Sequence, residues 1–407
     1  MKQRVLLVIL LAVFSLLAAC SLPGTTDPST HPPDTTAAPP AESAAPTTTP
    51  TTEEPTQPLL PQGSLITVSL PVTTETVEAG DGTVIFTYSF QNISLISQDP
   101  DIADLVIIDF LNRIDAARFT ADRICAMARD AYTGQSDWTA YMSMISYDPK
   151  RIDGGVLSLF GTQAGFYGST HPETVYAAVT YDLVTGTPLT LGDILPDSGS
   201  VESLRDLTLE VLKEQEKALH LYDDYRDTVT DHFSSAAVQR DWYFTDRGLC
   251  FFFTPYEIAP YSMGVLAAEI PYDRLAGILH DSFFPAERDT ASGDLLVQAV
   301  TPDAFNEFSR FTELMLDGNS GQYLLYTDHA VLSLRIETGV WSATGSFYTP
   351  QHTVFAASAL YPGDALMLQG ELSGEFPALR ISWETDSGAV TRYLALDERG
   401  APQLISR

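Results

Sequence analysis

The chain has 407 residues and carries 53 Asp+Glu against 22 Lys+Arg, a formal net charge of -31 at pH 7. That balance excludes a basic patch able to grip nucleic acid or an anionic membrane face. It leaves cations, or a cationic protein or peptide, as the charged partners such a surface favours. The three cysteines, Cys20, Cys125 and Cys250, are too few for a disulfide framework.

In chain order, Lys2 and Arg4 precede an apolar run from Val5 to Leu17, broken only by Ser15. The run is short for a membrane span and right for the core of a signal peptide. It ends in Leu17-Ala18-Ala19-Cys20, which resembles the lipobox of bacterial lipoproteins. The resemblance implies that residues 1–20 form a lipoprotein signal peptide and that Cys20 takes a diacylglyceryl group. The expected location is the extracytoplasmic side of a bacterial cell membrane, held by the lipid anchor; more than one acyl chain makes such an anchor stable. Residues 21–62 are dominated by Pro, Thr, Ala and Ser and read as a disordered tether. As a flexible coil the tether spans roughly 35 Å, and fully extended about 130 Å.

An α+β domain is expected over 63–288. TVIFTYSFQNISL (83–95) has strand composition, and the next segment changes period. Ile107, Phe110, Leu111, Ile114, Ala117, Ala121, Ile124, Cys125 and Ala128 recur at three and four, so a long amphipathic helix follows, with Asp101 placed as its cap. From Trp138 to Ile194 short strands alternate with the dividers DPKRIDGG, GSTHPE and LVTGTP. A second helix runs from Val201 to Leu221 with Ser200 as cap and Leu204, Leu207 and Val211 on one face. WYFTDRGLCFFFTPYEIAP (242–260) reads as a hairpin around Asp246-Arg247-Gly248, followed by a further strand. The fold class is therefore α+β: an antiparallel sheet with two main helices, followed by a β-sandwich-like C-terminal domain over 289–407. Cys125 and Cys250 both sit in apolar settings and read as two buried thiols, with a bridge between them as the alternative.

Three stretches could carry chemistry. In FYGSTHPETVY (166–176), Ser169 and His171 are two apart, but no GxSxG elbow occurs in the chain. Gly168, Ser169, Thr170 and Pro172 explain themselves as a turn, so the stretch is read as a turn at the rim of a binding surface. In TPYEIAPY (254–261), Glu257 lies among Tyr256, Ile258 and Tyr261, where apolar company can raise a carboxyl pKa toward acid catalysis. The bland reading is a strand end where two prolines stop pairing. HLYDDYRDTVTDH (220–232) has His220 and His232 around aspartates but no EF-hand glycine, and reads as a solvated acidic segment. No cofactor or metal is implied. In the last domain Trp341, Phe347, Tyr348, Tyr361, Trp383 and Tyr393 read as core, with a sugar-stacking face as the alternative.

Residues 154–195 and 242–275 together resemble the extracytoplasmic domain shared by RsiV-type anti-sigma factors and PdaC-type peptidoglycan deacetylases. Asp182, Thr185, Gly186, Leu189, Thr190, Leu191 and Asp193 match that family's hairpin. Pro255 to Tyr261, Gly264, Ile270, Pro271 and Tyr272 match its later segment. In the turn, Gly168-Ser169-Thr170-His171 stands where the family has Gly-Gly-Ala-His. The resemblance covers residues 80–285 and implies an α+β fold. Its anti-sigma members sense lysozyme through this domain, while the deacetylases keep their catalytic metal in another one. Only Met1 to Arg4 precede the apolar run, which leaves no cytoplasmic sigma-binding segment, so signalling by that route is not expected. The expected function is non-enzymatic recognition of cell-wall glycan (peptidoglycan) or of a cationic wall-active protein such as lysozyme. Tyr167, Thr170, His171, Tyr256, Glu257 and Tyr261 are the candidate binding residues. A peptidoglycan-directed hydrolase using Glu257 or His171 is the alternative, and a structural or assembly protein of the envelope the second alternative.

Overall fold

The computed structural model describes residues 66–406 except 98, 198, 286–290, 302, 305–306, 309, 317–320, 343–344, 346, 371, 373–376 and 378. The expected signal peptide with Cys20, and the tether over 21–62, lie outside the described residues. Strands β1 (Thr67–Ser69), β2 (Val72–Glu78), β3 (Val84–Gln91) and β4 (Ser94–Ile96) precede helix α1 (Pro100–Ala131). Next come β5 (Tyr141–Ile152), β6 (Val156–Phe166), β7 (Glu173–Asp182), α2 (Gly199–Leu219) and α3 (Tyr225–Phe233). Then follow β8 (Trp242–Phe244), β9 (Gly248–Phe253), β10 (Leu266–Pro271), β11 (Leu295–Ala299), β12 (Arg310–Met315) and β13 (Gln322–Thr327). The last strands are β14 (Val331–Trp341), β15 (Tyr348–Leu360), β16 (Asp364–Gln369), β17 (Leu379–Thr385), β18 (Gly388–Leu396) and β19 (Pro402–Ile405).

The fold is α+β. Helix α1 lies on a five-stranded sheet ordered β2-β3-β5-β6-β7, and α2 and α3 share a core with a three-stranded sheet, β10-β9-β8. In the C-terminal region a four-stranded sheet, β11-β13-β16-β12, faces a seven-stranded one, β19-β18-β17-β14-β15-β1-β4. Their inner faces share one core in which Leu325 and Leu366 of the first meet Ile336, Phe355 and Trp383 of the second. That is sandwich packing. Pairing is antiparallel except for β3 with β5 and β12 with β16. The first of these parallel pairs needs a crossover, and α1 supplies it.

Residues from the two sequence segments interleave. Short β1 and β4 complete the seven-stranded sheet, with Thr67 opposite Ala357. The fully buried Gln91 accepts from the Tyr147 amide and donates to the Thr353 carbonyl, so two backbone groups from distant strands are satisfied by one amide side chain. Asp148 receives the Thr353 hydroxyl at 2.7 Å, and Arg335 donates to the Pro149 carbonyl.

Local chemistry explains where the elements differ from expectation. The cap of α1 is Asp99, whose carboxylate accepts the Asp101 amide at 2.9 Å; Pro100 occupies the first turn, where its missing N–H costs nothing, and Asp101 sits inside that turn. Ala103 and Val106, rather than Ile107 and Leu111, open the buried stripe of α1. Ser200 lies inside α2 and donates its amide to Asp197. DPKRIDGG is not a divider: Asp148 to Ile152 continue β5, and Pro149 is accommodated at a register shift before Arg151. Only Asp153 to Gly155 turn, with the Asp153 carboxylate accepting the Gly155 and Val156 amides at 2.9 Å each. Cys125 and Cys250 are both buried free thiols, and burial pushes the Cys250 thiol up to about 12.

Candidate functional site

The candidate surface begins where β9 ends. Every residue from Gly248 to Phe253 is buried, so the strand is anchored on both faces. The chain then leaves the sheet through Thr254 to Tyr261. Tyr256 adopts φ 71°, a left-handed conformation uncommon for a tyrosine. The Tyr256 amide donates to the Ala259 carbonyl at 3.1 Å, and the Glu257 amide to Thr254 at 3.0 Å, closing a tight loop. Ile258 and Ala259 are buried and pin it to the core.

Glu257 reinforces the loop from within. One carboxylate oxygen accepts the Thr254 amide at 2.8 Å and hydroxyl at 3.1 Å, while the other pairs with His232 Nδ1 at 3.0 Å. His232 is 8% exposed, packs its ring against Phe253 at 5.3 Å, and turns Nε2 toward Asp241 at 3.7 Å. With the loop held this way, Tyr256 stands 68% exposed and Tyr261 48% exposed, their rings stacked at 5.4 Å.

The turn between β6 and β7 meets this loop. Gly168 takes φ 85°, and the Ser169 hydroxyl donates to the His171 carbonyl at 2.6 Å, so that hydroxyl serves the turn and not the imidazole. The His171 ring lies 6.2 Å from Tyr261. His171, Tyr261 and Tyr256 thus form one surface row from two segments far apart in sequence. Thr170 is exposed in the same turn. Tyr167 is placed differently: it packs against the core under α1, and its hydroxyl is pushed up to about 12 by burial and a hydrogen bond to Glu173.

The loop and its supports carry a family match. Residues 195–273 match the model of DUF3298, described as a protein of unknown function. The DUF3298 region thus contains Tyr256, Glu257, Tyr261, His232 and Asp241, while the turn with Thr170 and His171 precedes it. The solved structures similar to the chain include two of the DUF3298 family. One is a DUF3298 family protein from Pseudomonas aeruginosa PAO1, at 18% identity and TM-score 0.38, covering 54% of this chain and 97% of that one. The other is a DUF3298 family member from Bacteroides fragilis NCTC 9343, at 18% identity and TM-score 0.38, covering 53% and 94%. No curated protein matches the chain.

Within the DUF3298 region the electrostatics differ from expectation. Burial alone would raise Glu257, but the hydrogen bonds from His232 and Thr254 outweigh it and hold the carboxyl below its ordinary value. The raised carboxyl is Asp241, moved to about 6 by burial, with the nearby Glu257 charge adding and His232 opposing. Glu257 is thus a clamp with its oxygens engaged, which suits positioning better than proton donation.

Asp241 was not among the sequence candidates, and His232 was read only as part of a solvated acidic segment, whereas the structure buries it. The signal was available for His232: Tyr225, Val229, His232 and Phe233 are spaced along one face of α3 and are all buried. The aspartates of HLYDDYRDTVTDH are solvated as expected, with Asp223, Asp224, Asp227 and Asp231 exposed, while Leu221 packs against the core. The Tyr222 amide donates to the Ile258 carbonyl at 3.0 Å, which fixes this acidic segment beside the tyrosine loop. Among the described residues, no group of three His, Cys, Asp or Glu is arranged to hold a metal ion. In the C-terminal sandwich Trp383 is core at 1% exposure, whereas half-buried Trp341, Tyr348 and Tyr393 pack as a triangle with centroids 5.0–5.4 Å apart; Tyr361 is half-buried and Phe347 is 73% exposed.

Proposed function

We propose that the chain is a non-enzymatic, lipid-anchored recognition protein on the extracytoplasmic face of a bacterial membrane, and that it binds a cationic wall-active protein of the lysozyme kind. The observation that carries this reading is the exposed Tyr256–Tyr261–His171 row set beside the acidic Asp223–Asp231 segment. Tyrosine faces attract guanidinium and ammonium groups, and flanking carboxylates steer a cationic partner toward them. The net charge of -31 adds a long-range field of the same sign. The resemblance of residues 154–195 and 242–275 to RsiV-type and PdaC-type domains supports a partner of the cell wall. Stacked exposed tyrosines also suit a wall glycan, and the same experiment separates the two. A hydrolase is disfavoured by the geometry, because the Glu257 oxygens and the Ser169 hydroxyl are engaged in holding loops.

The test is titration of purified protein with lysozyme and, separately, with peptidoglycan at low and physiological salt. Lysozyme binding is expected to weaken as salt rises. Tyr256→Gly combined with Tyr261→Ala is expected to weaken it about 30-fold, the size of one hot spot. Glycine suits the φ of 71° at Tyr256, so the ring is removed without adding backbone strain. Unchanged affinity in this pair of substitutions, or silence toward both ligands, would remove the proposal. Release of peptidoglycan fragments that is lost in Glu257→Gln would transfer the reading to the hydrolase.

A further inference from the structure

A second surface feature lies where α1 hands over to β5. The loop holding Gln135, Asp137, Trp138 and Thr139, together with Tyr141, Phe166 and Gly168, walls a groove of about 300 Å³. Its aromatic wall is ordered by mutual contact. Trp138 stacks on Tyr141 at 4.9 Å and 26°, Tyr132 meets Trp138 edge-on at 5.3 Å, and Phe166 meets Tyr141 edge-on at 6.2 Å. Gln135 fixes the loop by accepting the Thr133 amide at 2.7 Å and donating to the Ala131 carbonyl at 3.0 Å. Gly168 is required at the groove: its φ is 85°, and a Cβ there would come within 2.9 Å of the Tyr141 hydroxyl.

The polar groups of this groove are few and placed among the rings. The Trp138 indole N–H is buried and has no hydrogen-bond partner among the described residues, so Trp138 offers the groove carbon surface and no side-chain donor. Asp137 and Thr139 are exposed beside it. Flat aromatic faces with a few fixed donors and acceptors are the construction of a small-molecule site. We propose that this groove binds a neutral saccharide. The C–H face of a pyranose ring lies on the aromatic wall, and its hydroxyls bond to Asp137 and Thr139. Charge selects the neutral class. No Lys or Arg lines the groove, Asp137 stands in it, and the whole chain is acidic, so a uronic acid is repelled. The site stands independently of the tyrosine row and does not need the protein partner proposed above.

Tryptophan fluorescence and saturation-transfer NMR test it, with an N-acetylglucosamine trisaccharide, maltotriose and a galacturonate trisaccharide as probes. At least one neutral trisaccharide is expected to shift the emission and receive saturation transfer, and galacturonate is not. Trp138→Ala is expected to weaken binding about tenfold, the loss of one aromatic contact. Trp138→Phe keeps a flat wall and is expected to weaken it less, and Thr139→Val, at an exposed position, tests the hydroxyl without disturbing the core. Three results overturn the site: no probe binds, galacturonate binds as well as the neutral sugars, or Trp138→Ala titrates like the parent.

Discussion

Arg151→Ala is expected to destabilise the chain by about 3–5 kcal/mol, the cost of breaking a buried, fully engaged charge network. Arg151 is 2% exposed near the end of β5. Its Nε meets the Asp153 carboxylate at 2.5 Å, and one Nη donates to the Tyr272 hydroxyl and the Phe283 carbonyl, both at 2.6 Å. The guanidinium also lies over the Phe244 and Tyr272 rings at 5.2 and 5.4 Å. One side chain therefore joins the five-stranded sheet to β8 and to the turns that follow β10. Alanine would leave a carbonyl and a carboxylate without this partner and open a cavity between aromatic rings. Arg151→Lys keeps the charge but not the planar fork, and is expected to recover less than half of the loss. Urea unfolding checks this: the midpoint should fall at unchanged slope. A loss below about 1 kcal/mol would place the network among the weak surface pairs and sink the argument.

The same arginine shows where the sequence is hard to read. Asp148-Pro149-Lys150-Arg151 has turn composition, yet β5 runs through it because Pro149 falls at a register shift. Helix α1 was legible because its apolar period persists over four turns and more, although the phase was not. Val106, Ile107 and Ile108 are consecutive apolar residues, and periodicity cannot say that Val106 is buried while Ile108 is 57% exposed. The hairpin of β8 and β9 and the sandwich composition were plain. The pairing of β1 with β15, and of β4 with β1, was not, because three-residue strands hold too little pattern to name a partner, least of all one as far along the chain as β15.

At the candidate site, Tyr256, Tyr261 and His171 stood out as letters, but their adjacency depends on tertiary contact. The sign of the Glu257 shift was out of reach for a related reason. Its environment is set by His232, 25 residues earlier, inside a segment whose charges conceal one buried face.

Asp241→Asn is expected to stabilise the chain by about 2 kcal/mol at pH 8 and to leave it nearly unchanged at pH 4. Burial raises the Asp241 carboxyl from 3.8 to about 6, so between these values the folded chain holds a proton that the unfolded chain releases. Stability from this group is fully present below 3.8 and is lost as pH rises through about 6. A shift of about two units corresponds to about 3 kcal/mol, reduced toward 2 because the side chain remains 27% exposed. Asparagine removes the charge, and with it the loss at high pH.

Glu257 acts with the opposite sign. Its lowered carboxyl contributes stability above its ordinary 4.5, and that contribution disappears as pH falls. In the parent the two slopes oppose each other across the acid range; in Asp241→Asn only the rising one remains. Melting temperatures of both proteins from pH 4 to pH 8 check the sign, and an equal gain at both ends would show that Asp241 is not the titrating group. The pair also separates stability from recognition. Protonating Glu257 weakens the clamp on Thr254 and the tyrosine loop, so binding through Tyr256 and Tyr261 should decline in acid in both proteins. At pH 7, Asp241→Asn should gain stability while leaving that binding as it was.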